Sequence, residues 1–148
     1  MPWKTTLKRA RKDKREGKAA TTQAGEFVRE EMEHIRRGKH GARSAKQAIA
    51  IGLSKARRAG VDLKPPKKGR ASAKTRKQAE RDYTKGHSKT KKKSSSSRSR
   101  ARLKALKREP RSAASHKALS RQAKSAARAR RKSGPATSGA RTTHRKAA

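Results

Sequence analysis

Large apolar residues gather in one stretch of this chain, and their spacing there is helical. Ala24, Val28, Met32 and Ile35 recur every three or four positions, with Phe27 beside them, which makes one apolar stripe. Thr22 is the candidate N-cap of this helix. Glu26 in the first turn and Arg36 and Arg37 in the last suit the helix dipole, and Gly38 supplies a C-terminal stop. A second helix opens on Ser44-Ala45-Lys46-Gln47, a capping-box pattern. Ala45, Ala48, Ile49, Leu53 and Ala56 form its stripe. Gly60 ends it, and Val61 follows where a Schellman turn places its hydrophobic contact. The loop from Gly38 to Arg43 suits an antiparallel αα-hairpin.

Outside this module the apolar signal fades. Residues 1–20 read as a basic N-terminal arm. Residues 64–71, containing Lys64-Pro65-Pro66-Lys67-Lys68-Gly69, read as a stiff linker extended at its prolines. A short helix is predicted over 72–86, starting near Ser72, with Ala79 and Tyr83 on one side and Gly86 behind it. Residues 87–100 are a low-complexity Lys/Ser linker to which no structure is assigned. Residues 101–132 are rich in Ala, Arg and Lys, with Pro110 interrupting them. Their helix propensity is high, but they lack a broad apolar face, and like charges at i,i+4 oppose the helix in water. Phosphate would remove that opposition, so helix formation on binding is expected there. Residues 133–148 read as a disordered tail. The expected fold is therefore mostly α with extensive disorder. A small αα-hairpin (about 22–60, within a module of residues 21–63) is flanked by basic, partly helical arms.

Charge sharpens this division. The chain has 148 residues, 47 Lys+Arg and 10 Asp+Glu, a formal net charge of +37. Residues 1–20 carry net +6, residues 21–63 net +4 and residues 64–148 net +27. The most nearly balanced segment is also the one with the large apolar residues, which marks it as the folded part. A small domain needs a net charge of only about 2–8 in magnitude for solubility. An excess of this size attracts polyanions. The hairpin core is thin, and Ile51 lies off its main stripe, so residues 21–63 are also a candidate self-association face.

The chemistry is concentrated in basic clusters. Lys8, Arg9, Arg11 and Lys12; Lys67, Lys68 and Arg70; Lys91, Lys92 and Lys93; Arg98, Arg100 and Arg102; and Arg128, Arg130, Arg131 and Lys132 are the candidate nucleic-acid contacts. Such residues neutralise phosphates and release counterions, and this needs no base contacts. Lys67-Lys68-Gly69-Arg70 lacks the proline that a minor-groove hook places after its arginine, because Ala71 stands there. Trp3, Phe27 and Tyr83 are too few and scattered for a base-stacking platform. His34 and His40 neighbour Glu30, Glu31 and Glu33, but their order is not His-Glu-x-x-His, so solvated histidines and surface acids are expected, with the acids paired to Arg29, Arg36 or the facing helix. Ser115 and His116 have no acid partner nearby. Ser94 to Ser97 reads as flexible spacer, with phosphorylation as the sharper alternative. There is no cysteine and no apolar run near the ~20 residues that span a bilayer. No catalytic site, metal, cofactor or membrane partner is expected.

Residues 22–31, 38–41 and 46–60 resemble a bacterial family of small Lys/Arg/Ala-rich basic proteins known as a domain of unknown function. The likeness extends over residues 4–86, and the 108–116 stretch is similar to longer members. Some members are named DNA-binding or histone-like. The resemblance implies a bacterial cytoplasmic setting compatible with the nucleoid, and it transfers no site residues. The basic tail is similar in composition to bacterial histone-like proteins. The expectation is a non-enzymatic, sequence-nonspecific, histone-like DNA binder. An RNA- or ribosome-associated protein, or a protein-interaction hairpin localised by its basic tails, are the alternatives.

Overall fold

The computed structural model describes residues 3–88 and 95–132. These residues form six α-helices and one 3-10 turn, in the order α1 (Lys4–Arg15), α2 (Ala20–Arg36), α3 (Ala45–Arg58), α4 (Ala73–His87), α5 (Ser96–Lys107), the 3-10 turn Arg111–Ala114, and α6 (His116–Lys132). No strand occurs among the described residues; an isolated bridge pairs Lys68 with Ala71. Helix α2 is the centre of the fold. It packs against α1 on one side and α3 on the other, and α4 runs along α3.

The hairpin forms as its caps dictate. The Ser44 hydroxyl accepts the Gln47 N–H (3.2 Å). The Gln47 side chain turns back to the Arg43 N–H (2.7 Å), one residue ahead of the cap. Helix α2 ends in a Schellman turn: the Gly38 N–H donates to Ile35 and the Lys39 N–H to His34, with Gly38 at φ +72°. Helix α3 ends the same way, through Gly60 to Arg57 and Val61 to Ala56. The N-terminal boundary of α2 departs from expectation. The helix begins at Ala20, and the Thr22 N–H donates to the Ala19 carbonyl, so Thr22 is inside the helix and not its cap. The turn at Gly17 and the Gln23 side chain, which donates to the Lys18 carbonyl (2.9 Å), fix this earlier start.

Two apolar clusters hold the module. One joins Met32, Ile35, Ala42 and Ala48 with Ala113 and Ala114; the other joins Phe27, Ala24, Ala56 and Val61 with Ala10. Each cluster thus takes residues from outside the hairpin. Residues 4–15, expected as an arm, are a helix whose buried face is Thr6, Ala10 and Asp13. The C-terminal half docks by backbone as well as by side chain. The Gly41 N–H donates to the Leu106 carbonyl and the Ala42 N–H to the Pro110 carbonyl. The Arg36 Nε donates to the Ala114 carbonyl (3.1 Å), and among the described residues no acid pairs with Arg36. Helix α5 starts within the stretch expected to be structureless, and α6 lays Leu119 on the first cluster.

Helix α4 is fastened to α3 by a buried carboxylate. Asp82 is 3% exposed and accepts from Ser54 Oγ (2.5 Å), Arg58 Nε (2.6 Å) and Gln78 Nε2 (3.2 Å). The Tyr83 hydroxyl donates to Asp62 (2.6 Å), which holds that carboxyl below the usual carboxylate range. Gly86, expected just beyond the helix, lies within it. Any Cβ there would sit 1.8 Å from the Arg57 carbonyl oxygen, so its bare backbone is what lets α4 close on α3. Replacing Asp82 by alanine leaves Ser54 and Gln78 without their acceptor. Arg58, which is part-exposed, regains water. A loss of about 2 kcal/mol is expected, read as a lower urea midpoint at unchanged m-value.

Candidate nucleic-acid interface

Several of the acids are paired with cations within the fold. Asp13 and Glu16 pair with Lys18; Glu26 lies 3.7 Å from Arg9; Glu33 lies between Arg29 and Arg37; Glu31 binds Lys55 of the facing helix; Asp82 binds Arg58. Most lysines and arginines remain exposed, and on α1 and α6 helix geometry sorts them into files.

On α1, Lys4, Lys8, Arg11 and Arg15 are all exposed and occupy i, i+4, i+7 and i+11. At 3.6 residues per turn these positions fall within an arc of about 60° and rise along about 16 Å. They lie opposite the buried face and line one shallow groove. Helix α6 repeats the arrangement: Lys117, Arg121, Lys124 and Arg128 occupy the same four offsets, all exposed, and line a second groove. Arg131 continues that line by one more turn. No acid occurs anywhere in α6.

The sequence-predicted contacts divide accordingly. Lys8 and Arg11 are in the α1 file. Arg9 and Lys12 are exposed but lean toward Glu26 and Glu16, each at 3.7 Å. Lys67, Lys68 and Arg70 surround a tight turn, closed by the Arg70 N–H on the Lys67 carbonyl (3.1 Å) with Gly69 at φ +85°. Arg98, Arg100 and Arg102 are exposed on α5, where a spacing of two puts Arg100 on the far side from the other two. Arg128 and Arg131 belong to the α6 file, Lys132 borders it, and Arg130 points away, its Nε 3.4 Å from the Ala126 carbonyl. Lys91, Lys92 and Lys93 lie outside the described residues, as does the predicted tail at 133–148. Reading contiguous basic runs missed Lys4, Arg15, Lys117, Arg121 and Lys124. Their i,i+4,i+7 recurrence was the available signal.

A second group of polar residues sits inside the fold, contrary to expectation. Glu30, Glu31, His34 and His40 are 2%, 0%, 7% and 8% exposed, so the solvated reading of these side chains is corrected. They are buried because Trp3 and Lys55 come from elsewhere to cover them. The Trp3 N–H donates to Glu30 Oε2 (3.1 Å), and its ring meets the His34 imidazole edge-on at 4.6 Å. Arg37 and Lys39 lie against the Trp3 ring, at 5.3 Å and 4.7 Å from its centroid. Lys55 Nζ reaches Glu31 Oε2 (2.5 Å). His40 Nε2 is 3.0 Å from Glu31 Oε1, close but off the hydrogen-bonding line. Burial, with the Lys55 charge, holds the His34 imidazole below its ordinary pKa, which favours the neutral ring.

Residues 11–69 match the model of a family of unknown function, DUF6496. The match runs from the second half of α1 through the hairpin to the Lys67–Arg70 turn, less than half of the 148 residues. It therefore takes in Glu30, Glu31, His34 and His40 but not the α6 file. No curated protein and no solved structure matches the chain. No described helix is long and apolar enough to cross a membrane.

Proposed function

We propose that this chain is a non-enzymatic protein that binds nucleic-acid backbones without reading sequence, with duplex DNA as its main partner, in the manner of a bacterial nucleoid-associated, histone-like protein. The observation that carries the reading is the repeated file of four cations at i, i+4, i+7 and i+11 on α1 and α6, with no acid in α6. A file of this kind presents several charges to one phosphate strand at once. Each phosphate neutralised releases condensed counterions, so affinity accumulates without base contacts. The described aromatics do not compete with this reading as base-stacking groups. Phe27 is buried, Trp3 lies on His34 and Tyr83 stacks on His87.

Helix α5 has no buried residue, and Arg98/Arg102 and Arg100/Lys104 set like charges one turn apart. Phosphate relieves that repulsion. The helical circular-dichroism signal is therefore expected to rise when duplex is added, and an unchanged spectrum at saturation would count against helix stabilisation by binding.

The deciding experiment is a salt series on duplex DNA and structured RNA of equal charge. If about ten phosphates are engaged, log K on the duplex falls against log salt with a slope near −9. A slope shallower than about −3 rejects multi-phosphate binding. Tighter binding to RNA at equal charge would move the partner from DNA to RNA while leaving the electrostatic mechanism intact.

A further inference from the structure

We propose that Glu31, His34 and His40 bind one divalent transition-metal ion of the zinc class, with Glu30 beside them as a further carboxylate. This site is separate from the cationic files, and its failure would leave nucleic-acid binding untouched.

Three observations converge. First, each of the three residues offers one ligand atom, these atoms lie within 4.8 Å of one another, and all three residues are buried. Zinc holds nitrogen and oxygen ligands at about 2.0–2.2 Å, so tetrahedral ligands lie roughly 3.4 Å apart. Small side-chain rotations close that gap, and His40 Nε2 to Glu31 Oε1 is already 3.0 Å. Second, Glu30 Oε1, Glu31 Oε1 and His34 Nε2 are buried with no hydrogen-bond partner. Buried polar atoms are almost always satisfied, and three orphans on neighbouring residues point to a missing partner. A proton cannot serve all three, but a cation can. Glu30 Oε1 lies 3.7 Å from His34 Nε2 and Glu31 Oε2 lies 3.9 Å from His34 Nδ1, so the imidazole stands between the two carboxylates.

Third, the surroundings prepare the ligands. His40 Nδ1 is 3.0 Å from the Gly41 carbonyl. A carbonyl only accepts, so in the neutral ring this contact places the proton on Nδ1 and turns the Nε2 lone pair toward Glu31, where a metal would sit. Lys55 occupies Oε2 of Glu31 and leaves Oε1 open. Two carboxylates against one ammonium leave the cluster one negative charge, which a dication more than offsets. Two imidazoles with carboxylate favour zinc or a similar transition metal over magnesium or calcium, which prefer all-oxygen shells. On the helix, Glu31 and His34 are three residues apart and Glu30 and His34 four, so one face of α2 presents all three side chains. His40 arrives from the loop that the Schellman turn at Gly38 folds back. That loop also carries the Gly41 and Ala42 N–H groups that hold the C-terminal half, so the ion would fix the docking edge of the module.

The test uses full-length, nucleic-acid-free protein stripped by a chelator. Titration with cobalt(II) should raise a visible d–d band that saturates at one ion per chain, and zinc should abolish it. In ring-nitrogen NMR of the unaltered chain, zinc should shift His34 and His40 and leave His87, His116 and His144 in place. His34→Gln and His40→Gln should each weaken cobalt binding by roughly a hundredfold or more, since even outer-shell losses reach that size. Glu33→Gln, on the same helix but paired with Arg29 and Arg37, should not. Absence of the band on folded protein overturns the proposal. So do zinc-induced shifts confined to the other histidines, or glutamine variants that bind as well as the parent. If those variants unfold, the NMR result on the unaltered chain decides alone.

Discussion

Replacing Lys117, Arg121, Lys124 and Arg128 together by glutamine is expected to flatten the salt dependence of duplex binding by between three and four units of slope. Each cation that neutralises a phosphate contributes about 0.9 to that slope. Near 1 M salt the counterion contribution vanishes, so the variant and the parent should converge there. At about 0.15 M the same difference amounts to roughly a thousandfold in affinity. Glutamine keeps the helix propensity and most of the length of these side chains. All four are exposed, so the fold should be unchanged.

The informative control removes the same number of charges from places where no file exists. Lys46, Lys64, Arg100 and Arg108 are exposed and do not share a helical face. Their joint replacement should change the slope by less than half as much, because dispersed cations meet fewer phosphates at once. Equal effects from the two quadruple variants would mean that total charge alone governs binding. The α6 file would then be an accident of an alanine- and arginine-rich helix, and the functional reading would lose its structural support.

Local chemistry made the hairpin legible from sequence. Ser44, Gly38, Gly60 and Ser72 act at helix ends through backbone bonds within a few residues, so residue type suffices to predict them. The docking of α1 was not legible, because its buried face is Thr6, Ala10 and Asp13, and Leu7 is the one large apolar side chain it packs against the core. The C-terminal attachment was hidden for a related reason. It rests on Ala113, Ala114 and the backbone of Gly41 and Ala42, and main-chain hydrogen bonds leave no compositional trace. The histidine cluster was misjudged because its burial depends on Trp3 and Lys55, which lie 31 positions before and 21 positions after His34 in the chain. No short-range pattern could bring them together. The α6 file is the opposite case. It was present in the sequence, but contiguous runs such as Arg128–Lys132 drew attention from the spaced residues that share a face.

The second large effect is expected at the crossing of α2 and α3, where Gly52→Ala should destabilise the module. A Cβ at Gly52 would lie 2.7 Å from the Val28 Cα and 3.0 Å from both its Cγ2 and its nitrogen. Two of those atoms are backbone, so no rotamer change relieves the clash, and the helices must separate. Overpacking of this kind costs about 1–3 kcal/mol, and the better helix propensity of alanine returns about 1. A rigid backbone clash puts the net loss toward 2 kcal/mol, which in a domain this small lowers the midpoint of thermal unfolding by roughly 10 °C. Gly25 supplies the contrast. It is also inside α2, but nothing lies within 4 Å of its Cβ position. Gly25→Ala should therefore stabilise by up to about 1 kcal/mol. The same substitution thus changes sign between two glycines 27 residues apart, and only the packing of α2 on α3 distinguishes them. If both variants proved more stable than the parent, the close crossing at Gly52 would be refuted, and with it the packing that places Glu31 beside Lys55.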